Sequence, residues 1–178
     1  MQEKVDIALN QITTIFFDVD GIFTDGSVYF SDNGVNITKF NVHDGMGCIL
    51  LKEAGIELLI LTARHSDAVI KRFKDLGINK IFTKVLKKRD FIKEYSKAHN
   101  LEKKELAMMG DDLQDLAAIG EVGVFFTTPN AIDIVKNSAD FITKRSGGDG
   151  AVREICDLII RSKGSSSSLE FDRYIEKR

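Results

Sequence analysis

The sequence predicts an α/β fold with a Rossmann-like, doubly wound parallel sheet. Two features support this fold class: short continuous apolar runs, which suit strands covered on both faces, and amphipathic helical patterns between those runs. Strands that alternate with helices form right-handed βαβ units, which place helices on both faces of a parallel sheet. A third feature, polar residues at the ends of three runs, predicts a functional site at one edge of the sheet.

Five apolar runs predict the strands. Each run has a length that is usual for a strand and too short for most helices. The runs are Thr13–Val19, Ile56–Leu61, Glu105–Met109, Glu121–Phe126 and Ala139–Ile142.

Three apolar stripes at helical spacing predict amphipathic helices between and after these strands. The first stripe follows Ser66, a candidate N-cap residue. The stripes consist of Val69, Phe73 and Leu76; of Phe91, Ile92, Tyr95 and Ala98; and of Val152, Ile155, Cys156, Ile159 and Ile160.

One segment interrupts this alternation and predicts a projecting β-hairpin over about residues 27–41. The β-prone segments Ser27–Phe30 and Val35–Phe40 flank Asn33 and Gly34, and Asn-Gly between two such segments is a strong hairpin signal. A projecting hairpin needs a cover for its apolar residues. The sequence leaves two covers open, a second copy of the chain or the body of the same chain.

The length of 178 residues suits one domain, which we assign to residues 1–163. Gly164 and Ser165–Ser168 have the composition of a flexible linker, so we predict a flexible C-terminal tail over residues 164–178. The last ten residues carry four large apolar side chains. That composition leaves open conditional docking of the tail or a frayed terminus.

The charge balance argues against polyanionic partners. The formal net charge is −2, which disfavours a general nucleic-acid or anionic-membrane surface. The first eleven residues lack the apolar segment of a secretory signal, and no apolar run approaches the roughly 20 residues that span a bilayer. We therefore expect a cytoplasmic protein with neither a nucleic-acid nor a membrane partner.

The cysteines and histidines predict no zinc site. Cys48 and Cys156 form no CxxC pair, and each lies in an apolar helical pattern, which indicates a buried thiol. His43, His65 and His99 follow no metal-ligand spacing.

Polar residues follow or end three of the predicted strands. Asp18 and Asp20 form a DxDG motif after the first, Thr62 ends the second, and Asp111 lies in a GDD motif after the third. If these strands are neighbours, the side chains converge at the carboxyl edge of the sheet. Close carboxylates repel each other, and Mg²⁺ relieves that repulsion while it binds substrate phosphate. A single aspartate at a strand end is more typical of a cap or turn, so the ordered set carries the prediction.

In this order the motifs resemble those of the haloacid dehalogenase superfamily of phosphohydrolases. The matching segments are Phe17–Gly21, Leu61–Arg64 and Gly110–Asp112, together with Asp115. The resemblance implies the haloacid dehalogenase fold and Mg²⁺-dependent hydrolysis of phosphomonoesters.

The superfamily also implies a basic residue between Thr62 and Gly110. Lys87 and Lys88 are both available at the start of a predicted helix. We favour Lys88 for its spacing to Gly110 and keep Lys87 as the alternative.

Further segments resemble one family, the 3-deoxy-D-manno-octulosonate 8-phosphate (KDO 8-phosphate) phosphatases of lipopolysaccharide synthesis. They are Asp18–Gly26 with the hairpin, Asn41–Gly45 and Gly147–Glu154, and the match covers about residues 12–163. The resemblance implies a capless core, a homotetramer built largely through the hairpins, and a tail that reaches a neighbouring subunit's site. The interval from Asp18 to Thr62 agrees, because it has no room for a cap domain.

The resemblance implies a role for each acidic residue of the site. Asp18 would be the nucleophile that forms an aspartyl-phosphate, and Asp20 the general acid and base. Mg²⁺ would bind Asp18, the main-chain carbonyl of Asp20 and Asp111. Asp112 and Asp115 would orient the lysine and waters.

Substrate recognition is assigned in the same way. The sequence departs from the family pattern at His43, where members often have arginine, and at Ala63, where they often have glycine. The candidates are Thr62 and Lys88 for the phosphate and Arg64, Asn41, Gly45 and His43 for the sugar acid.

Three other functions remain open from the sequence. The enzyme could hydrolyse another sugar-acid phosphate, such as an N-acylneuraminate 9-phosphate. The chain could instead be a phospho-acceptor like bacterial receiver domains, although those carry the accepting aspartate on a later strand. A catalytically inactive scaffold is disfavoured, because close carboxylates without a metal destabilise a fold.

Overall fold

Among the residues described by a computed structural model, six parallel strands form the central sheet and two further strands form a separate antiparallel ribbon. The described residues are 8–30, 32 and 36–178, except for the side chains of Phe30 and Asn36. The strands are β1 (Thr14–Phe17), β2 (Tyr29–Phe30), β3 (Asn36–Ile37), β4 (Glu57–Leu61), β5 (Ile81–Phe82), β6 (Leu106–Met109), β7 (Val124–Thr127) and β8 (Phe141–Ile142). The α-helices that lie entirely within the described residues are α1 (Val42–Glu53), α2 (Asp67–Asp75), α3 (Lys88–Ala98), α4 (Leu113–Leu116), α5 (Asp133–Ser138), α6 (Ala151–Ser162) and α7 (Ser167–Glu176).

The sheet has the order β5-β4-β1-β6-β7-β8, with β1 near its centre. All five pairings are parallel. The chain adds β4 and β5 on one side of β1 and then β6, β7 and β8 on the other, so the direction of winding reverses beside β1. This confirms the predicted doubly wound sheet and places a ligand crevice at the carboxyl ends of β1, β4 and β6.

Two hydrophobic cores cover the faces of the sheet, and β1 contributes to both. Ile15 and Phe17 lie in the core that α1, α2 and α6 complete, whereas Phe16 lies in the core with α3. Successive strand residues point to opposite faces, so a continuous apolar run is needed where both faces are covered. The predicted stripes on α2, α3 and α6 supply the helical side of these cores. Cys48 and Cys156 are buried free thiols, as expected.

The short strand β5 is absent from the prediction. It contains Ile81 and Phe82 only, and both are half-buried at the edge of the sheet. Two residues give no periodicity that distinguishes a strand from a loop. Its position is fixed by parallel pairing with the end of β4.

The predicted hairpin is present as the β2–β3 ribbon, in which Tyr29 pairs with Ile37. Each strand has two residues and is shorter than the predicted segments. Of the predicted turn, residues 31, 33 and 34 lie outside the described residues. Val28, Tyr29 and Ile37 keep 49%, 45% and 60% of their surface exposed. Packing on the body of the same chain therefore leaves these three side chains largely uncovered.

The C-terminal segment, for which we predicted a flexible tail, contains the helix α7. Ser166 accepts a hydrogen bond from the Leu169 amide at 3.2 Å and caps α7. Serines taken as linker residues thus form the cap and first turn of a helix, because serine is among the best N-cap residues. The helix packs on α1 and α6 of its own chain, and Lys177 pairs with Glu53 of α1.

The expectation about a secretory signal rests partly on residues 1–7, which lie outside the described residues. Among the residues that are described, none of the helices has the length and apolar character needed to cross a membrane.

Candidate active site

Asp18, Thr62 and Asp111 lie at the carboxyl edge of the sheet because β1 lies between β4 and β6. Asp18 follows β1, and its amide donates to the Met109 carbonyl of β6 at 2.9 Å. Asp18, Thr62 and Asp111 line one cavity of about 300 Å³, which we call the carboxylate cavity. Its further lining residues are Asp20, Gly21, Gly26, Ala63, Arg64, Asp112, Gln114 and Asp115.

Lys88 is the first residue of α3, and it is buried with 1% of its surface exposed. Its Nζ lies 2.9 Å from Asp18 Oδ1 and 2.5 Å from Asp115 Oδ1. Burial alone would lower the pKa of Lys88, but the charges of Asp18 and Asp115 outweigh burial and raise it. Lys87 is exposed. The geometry therefore favours Lys88, as a permanent cation beside Asp18.

Three carboxylates lie close enough to hold a metal ion. One oxygen of each of Asp18, Asp111 and Asp115 lies within 4.8 Å of the others. Burial, followed by the charge of Asp115, raises the pKa of Asp18 to about 7. Burial, followed by the charge of Asp18, raises the pKa of Asp111 to about 7. A cation with a preference for oxygen ligands removes this repulsion.

Hydrogen bonds already engage both oxygens of Asp115. Oδ1 accepts from Lys88, and Oδ2 accepts from the amides of Asp111 at 3.0 Å and Asp112 at 3.2 Å. Asp18 and Asp111 thus remain as the carboxylate ligands for a metal. Two carboxylates fit Mg²⁺, which binds few protein ligands and keeps several waters.

The turn after Asp20 brings backbone close to the metal ligands. Gly21 has φ +78°, and a Cβ at this position would lie 1.8 Å from Asp111 Oδ2. Thr24 Oγ1 accepts from the amides of Gly21 at 3.2 Å and Gly26 at 3.3 Å. The DxDG motif therefore needs glycine for both conformation and space.

Asp20 lies where the carboxylate cavity meets a second cavity. The second one, also of about 300 Å³, lies between the β2–β3 ribbon and the start of α2, and we call it the hairpin cavity. Asp20, Thr62 and Arg64 line both cavities. Arg64 Nη1 lies 3.5 Å from Asp20 Oδ1, and both side chains are about half exposed. A substrate could thus place its phosphate on one side of Asp20 and its leaving group on the other.

Two predicted sugar-binding residues lie elsewhere in the single chain. Asn41 caps α1, because its Oδ1 accepts from the His43 amide at 2.8 Å. Gly45 lies against α2, where a Cβ would be 2.4 Å from Arg72 Nη2. Among the described residues that line the two cavities, neither Asn41 nor Gly45 is present. His43 lines a separate groove with Lys144, Arg145, Arg153 and Arg161.

Several residues that shape the site were not predicted to belong to it. His65 and Ser66 line the hairpin cavity. Asp44, fully buried, accepts from the amides of Gly150 at 3.3 Å and Arg153 at 2.8 Å and so caps α6 from α1. Asn130 contacts the turn after Asp20. Only His65 and Ser66 had a local signal, since they directly follow Arg64.

The chain is similar in sequence to known phosphatases. A family model of haloacid dehalogenase-like hydrolases matches residues 78–155. The KDO 8-phosphate phosphatase of Haemophilus influenzae is 36% identical over 167 residues, which make up 94% of this chain and 91% of that protein.

Solved structures are similar over nearly the whole chain. The KDO 8-phosphate phosphatase of Moraxella catarrhalis, in complex with magnesium, phosphate and KDO, is 34% identical, with a TM-score of 0.90 over 99% of each chain. The cobalt-bound deoxy-D-mannose-octulosonate 8-phosphate phosphatase of Haemophilus influenzae is 34% identical. Its TM-score is 0.86, over 92% of this chain and 98% of that one.

Proposed function

The chain belongs to the family of the KDO 8-phosphate phosphatases, among the haloacid dehalogenase-like hydrolases, and on that premise we propose that it hydrolyses KDO 8-phosphate to KDO and phosphate with Mg²⁺ as cofactor. One observation carries the proposal beyond family membership. Lys88 and Asp111 lie beside Asp18, and the cavity that Asp18 and Asp111 line shares Asp20 with a second cavity. This arrangement offers a nucleophile in Asp18, positive charge in Lys88 and a proton donor in Asp20.

In the proposed first step, Asp18 attacks phosphorus and displaces the sugar alkoxide, which leaves an aspartyl-phosphate. Lys88 beside Asp18 offsets the negative charge of nucleophile and phosphate, since charge stabilisation supplies most of the catalysis in phosphoryl transfer. Mg²⁺, bound by Asp18, Asp111 and the main-chain carbonyl of Asp20, would add positive charge for the same purpose. Thr62 would hold a phosphoryl oxygen from the opposite wall.

Asp20 is proposed to move the protons of both steps. It would donate a proton to the leaving oxygen and then take one from the water that hydrolyses the aspartyl-phosphate. Its position between the carboxylate and hairpin cavities supports this role, because the leaving oxygen joins the two halves of the substrate. Arg64, 3.5 Å from Asp20, would contact the sugar acid on the hairpin side.

We further propose that the protein acts as a homotetramer that is assembled through the hairpins. The exposed apolar residues of the ribbon support an interface between copies. Asn41, Gly45 and His43 remain candidates for sugar recognition in that assembly. The substrate implies a cytoplasmic role in lipopolysaccharide synthesis, which the two unpaired cysteines fit.

A panel of phosphate esters tests the substrate. Phosphate release with Mg²⁺ would be measured for KDO 8-phosphate, an N-acylneuraminate 9-phosphate, several hexose phosphates and p-nitrophenyl phosphate. We expect kcat/KM for KDO 8-phosphate to exceed that for every other ester by at least tenfold. A preference for the N-acylneuraminate 9-phosphate would contradict the proposed substrate but support the proposed reaction. If no ester released phosphate, the proposed phosphatase activity would be refuted.

A further inference from the structure

Gly21 lies between the metal ligands and a second loop of the protein. On one side its Cα faces the Asp111 carboxylate. On the other, a Cβ at Gly147 would lie 1.7 Å from the Gly21 carbonyl oxygen. Gly21 therefore has little room to move toward either side, and any shift of the loop at Gly147 would reach Asp111 through Gly21.

The carboxamide of Asn130 bridges these two segments. Its Nδ2 donates to the Gly21 carbonyl at 3.3 Å, and its Oδ1 accepts from the Gly147 amide at 2.8 Å. An asparagine side chain provides a donor and an acceptor on one rigid group, and its partners here, a carbonyl and an N–H, determine its orientation. Asn130 follows β7, so the bridge connects the turn after Asp20 to the sheet.

The loop is also anchored by contacts on the C-terminal side of Gly147. The Gly148 amide donates to the Ile22 carbonyl at 3.0 Å, within the same turn. Farther along, the buried carboxylate of Asp44 accepts from the Gly150 and Arg153 amides. The loop at Gly147 is thus held against the turn after Asp20, and Asn130 hydrogen-bonds to Gly21 where the two segments meet.

We propose that Asn130 is a positioning residue for the metal site, acting through Gly21. By holding the Gly21 carbonyl it sets the backbone at Asp20–Gly21 relative to the Asp111 carboxylate, so that the proposed oxygen ligands keep the spacing that a small cation requires. Mg²⁺ demands near-ideal geometry, and its binding is therefore sensitive to small displacements of a ligand. The proposal rests on the proposed function only in taking Asp18, Asp20 and Asp111 as the metal ligands.

The test is Mg²⁺ binding by the full-length protein without substrate. We expect Asn130→Ala to raise the Kd for Mg²⁺, measured by isothermal titration calorimetry, about tenfold. The kcat for phosphate release should recover to within about twofold of wild type at saturating Mg²⁺. Asn137→Ala is the matched control, because Asn137 is an exposed asparagine in α5. That variant should bind Mg²⁺ like the wild type. A Kd for Asn130→Ala within twofold of the wild-type value would overturn the proposal.

A second measurement separates positioning from a general loss of structure. In the metal-free protein, amide hydrogen exchange of a peptide that covers residues 18–26 should be at least fivefold faster in Asn130→Ala than in wild type. Exchange in β4 and α3 should be unchanged. Equal exchange over residues 18–26, or faster exchange throughout the chain, would contradict a local role.

The Mg²⁺-binding experiment tests the positioning role of Asn130 and the substrate panel tests the proposed function, and either proposal can fail without the other. If wild-type protein binds Mg²⁺ and Asn130→Ala binds it about tenfold more weakly, the positioning role stands even when no ester in the panel is hydrolysed. If KDO 8-phosphate is hydrolysed but both proteins bind Mg²⁺ equally, the positioning role falls and the proposed function stands.

Discussion

Lys88 Nζ lies 2.9 Å from Asp18 Oδ1, and Asp18 lines the carboxylate cavity. The contact joins the first residue of α3 to the first residue after β1, which are 70 positions apart in the chain. It is buried, so the attraction between the two charges is poorly screened. The pair gives Asp18 a permanent cationic neighbour in a site whose other close groups are carboxylates.

Removal of the Lys88 charge should impair both activity and folding. We expect Lys88→Met to lower kcat/KM at least hundredfold, because one charge that stabilises the transition state is lost. The variant should also lose roughly 3–5 kcal/mol of stability at pH 8, since Asp18 and Asp115 remain buried without their cationic partner. Enzyme assays and denaturant unfolding measure the two effects.

The neighbouring lysine is the control for this variant. Lys87 is exposed, so Lys87→Met should keep wild-type activity and a stability within about 0.5 kcal/mol of wild type. A larger loss of activity in Lys87→Met than in Lys88→Met would show that Lys87, and not Lys88, binds the phosphate.

Without metal, the protein should become less stable as the pH rises through the acidic range. The pKa values of Asp18 and Asp111 rise in the folded protein from 3.8 to about 7. The folded state thus holds these protons more tightly than the unfolded state, and stability is lost between about pH 4 and pH 7. We expect the Tm in EDTA to fall over this interval.

Asp111→Asn isolates this contribution. The variant should show a shallower fall in Tm, whereas Asp112→Asn, at an exposed position, should follow the wild type. Burial also raises the pKa of Asp44, but that contribution is present in all three proteins and cancels in the comparison. An identical pH dependence in Asp111→Asn and wild type would show that repulsion among the site carboxylates is not the cause.

The hairpin should be the main interface of the proposed tetramer. We expect the double variant Tyr29→Ser, Ile37→Ser to form dimers or monomers at micromolar concentration, because it removes apolar surface from every copy. Size-exclusion chromatography with light scattering gives the mass. Leu86→Ser, at a residue that is 72% exposed outside the ribbon, should leave the tetramer intact. A monomeric wild-type protein would refute the assembly itself.

Deletion after Gly164 should change turnover or product release more than thermal stability. The helix α7 buries Glu170, whose Oε2 has no hydrogen-bond partner among the described residues, and it exposes 40–52% of Leu169, Phe171 and Ile175. Such packing on its own chain contributes little net stability. Steady-state and single-turnover kinetics of the truncated protein measure the effect, and truncation after Glu176 is the control. Kinetic constants equal to those of full-length protein would refute a role for α7 in turnover.

The sequence predicted the features that depend on local pattern. Apolar runs and stripes identified the main strands and three of the helices, and the order of the motifs brought Asp18, Thr62 and Asp111 to one edge. Lys88 was preferred to Lys87 from its spacing alone, and the structure places it against Asp18.

Features that depend on distant contacts were missed or misassigned. Serine-rich composition concealed α7, because cap residues and linker residues are the same types. Asn41 and Gly45 matched family segments, and neither lines the two cavities of the single chain, so their role in sugar recognition stays a prediction. The bridge from Asn130 to Gly21 spans 109 positions, and no local pattern announces such a contact.

The rate of phosphate release from KDO 8-phosphate by Asp18→Asn tests whether Asp18 is the nucleophile of a Mg²⁺-dependent phosphatase. Wild type with Mg²⁺, wild type in EDTA and the variant with Mg²⁺ would be compared, with circular dichroism to verify folding. We expect rapid release only from wild type with Mg²⁺, because the variant lacks the nucleophile and EDTA removes the cation. More than a few per cent of wild-type activity in folded Asp18→Asn would contradict it.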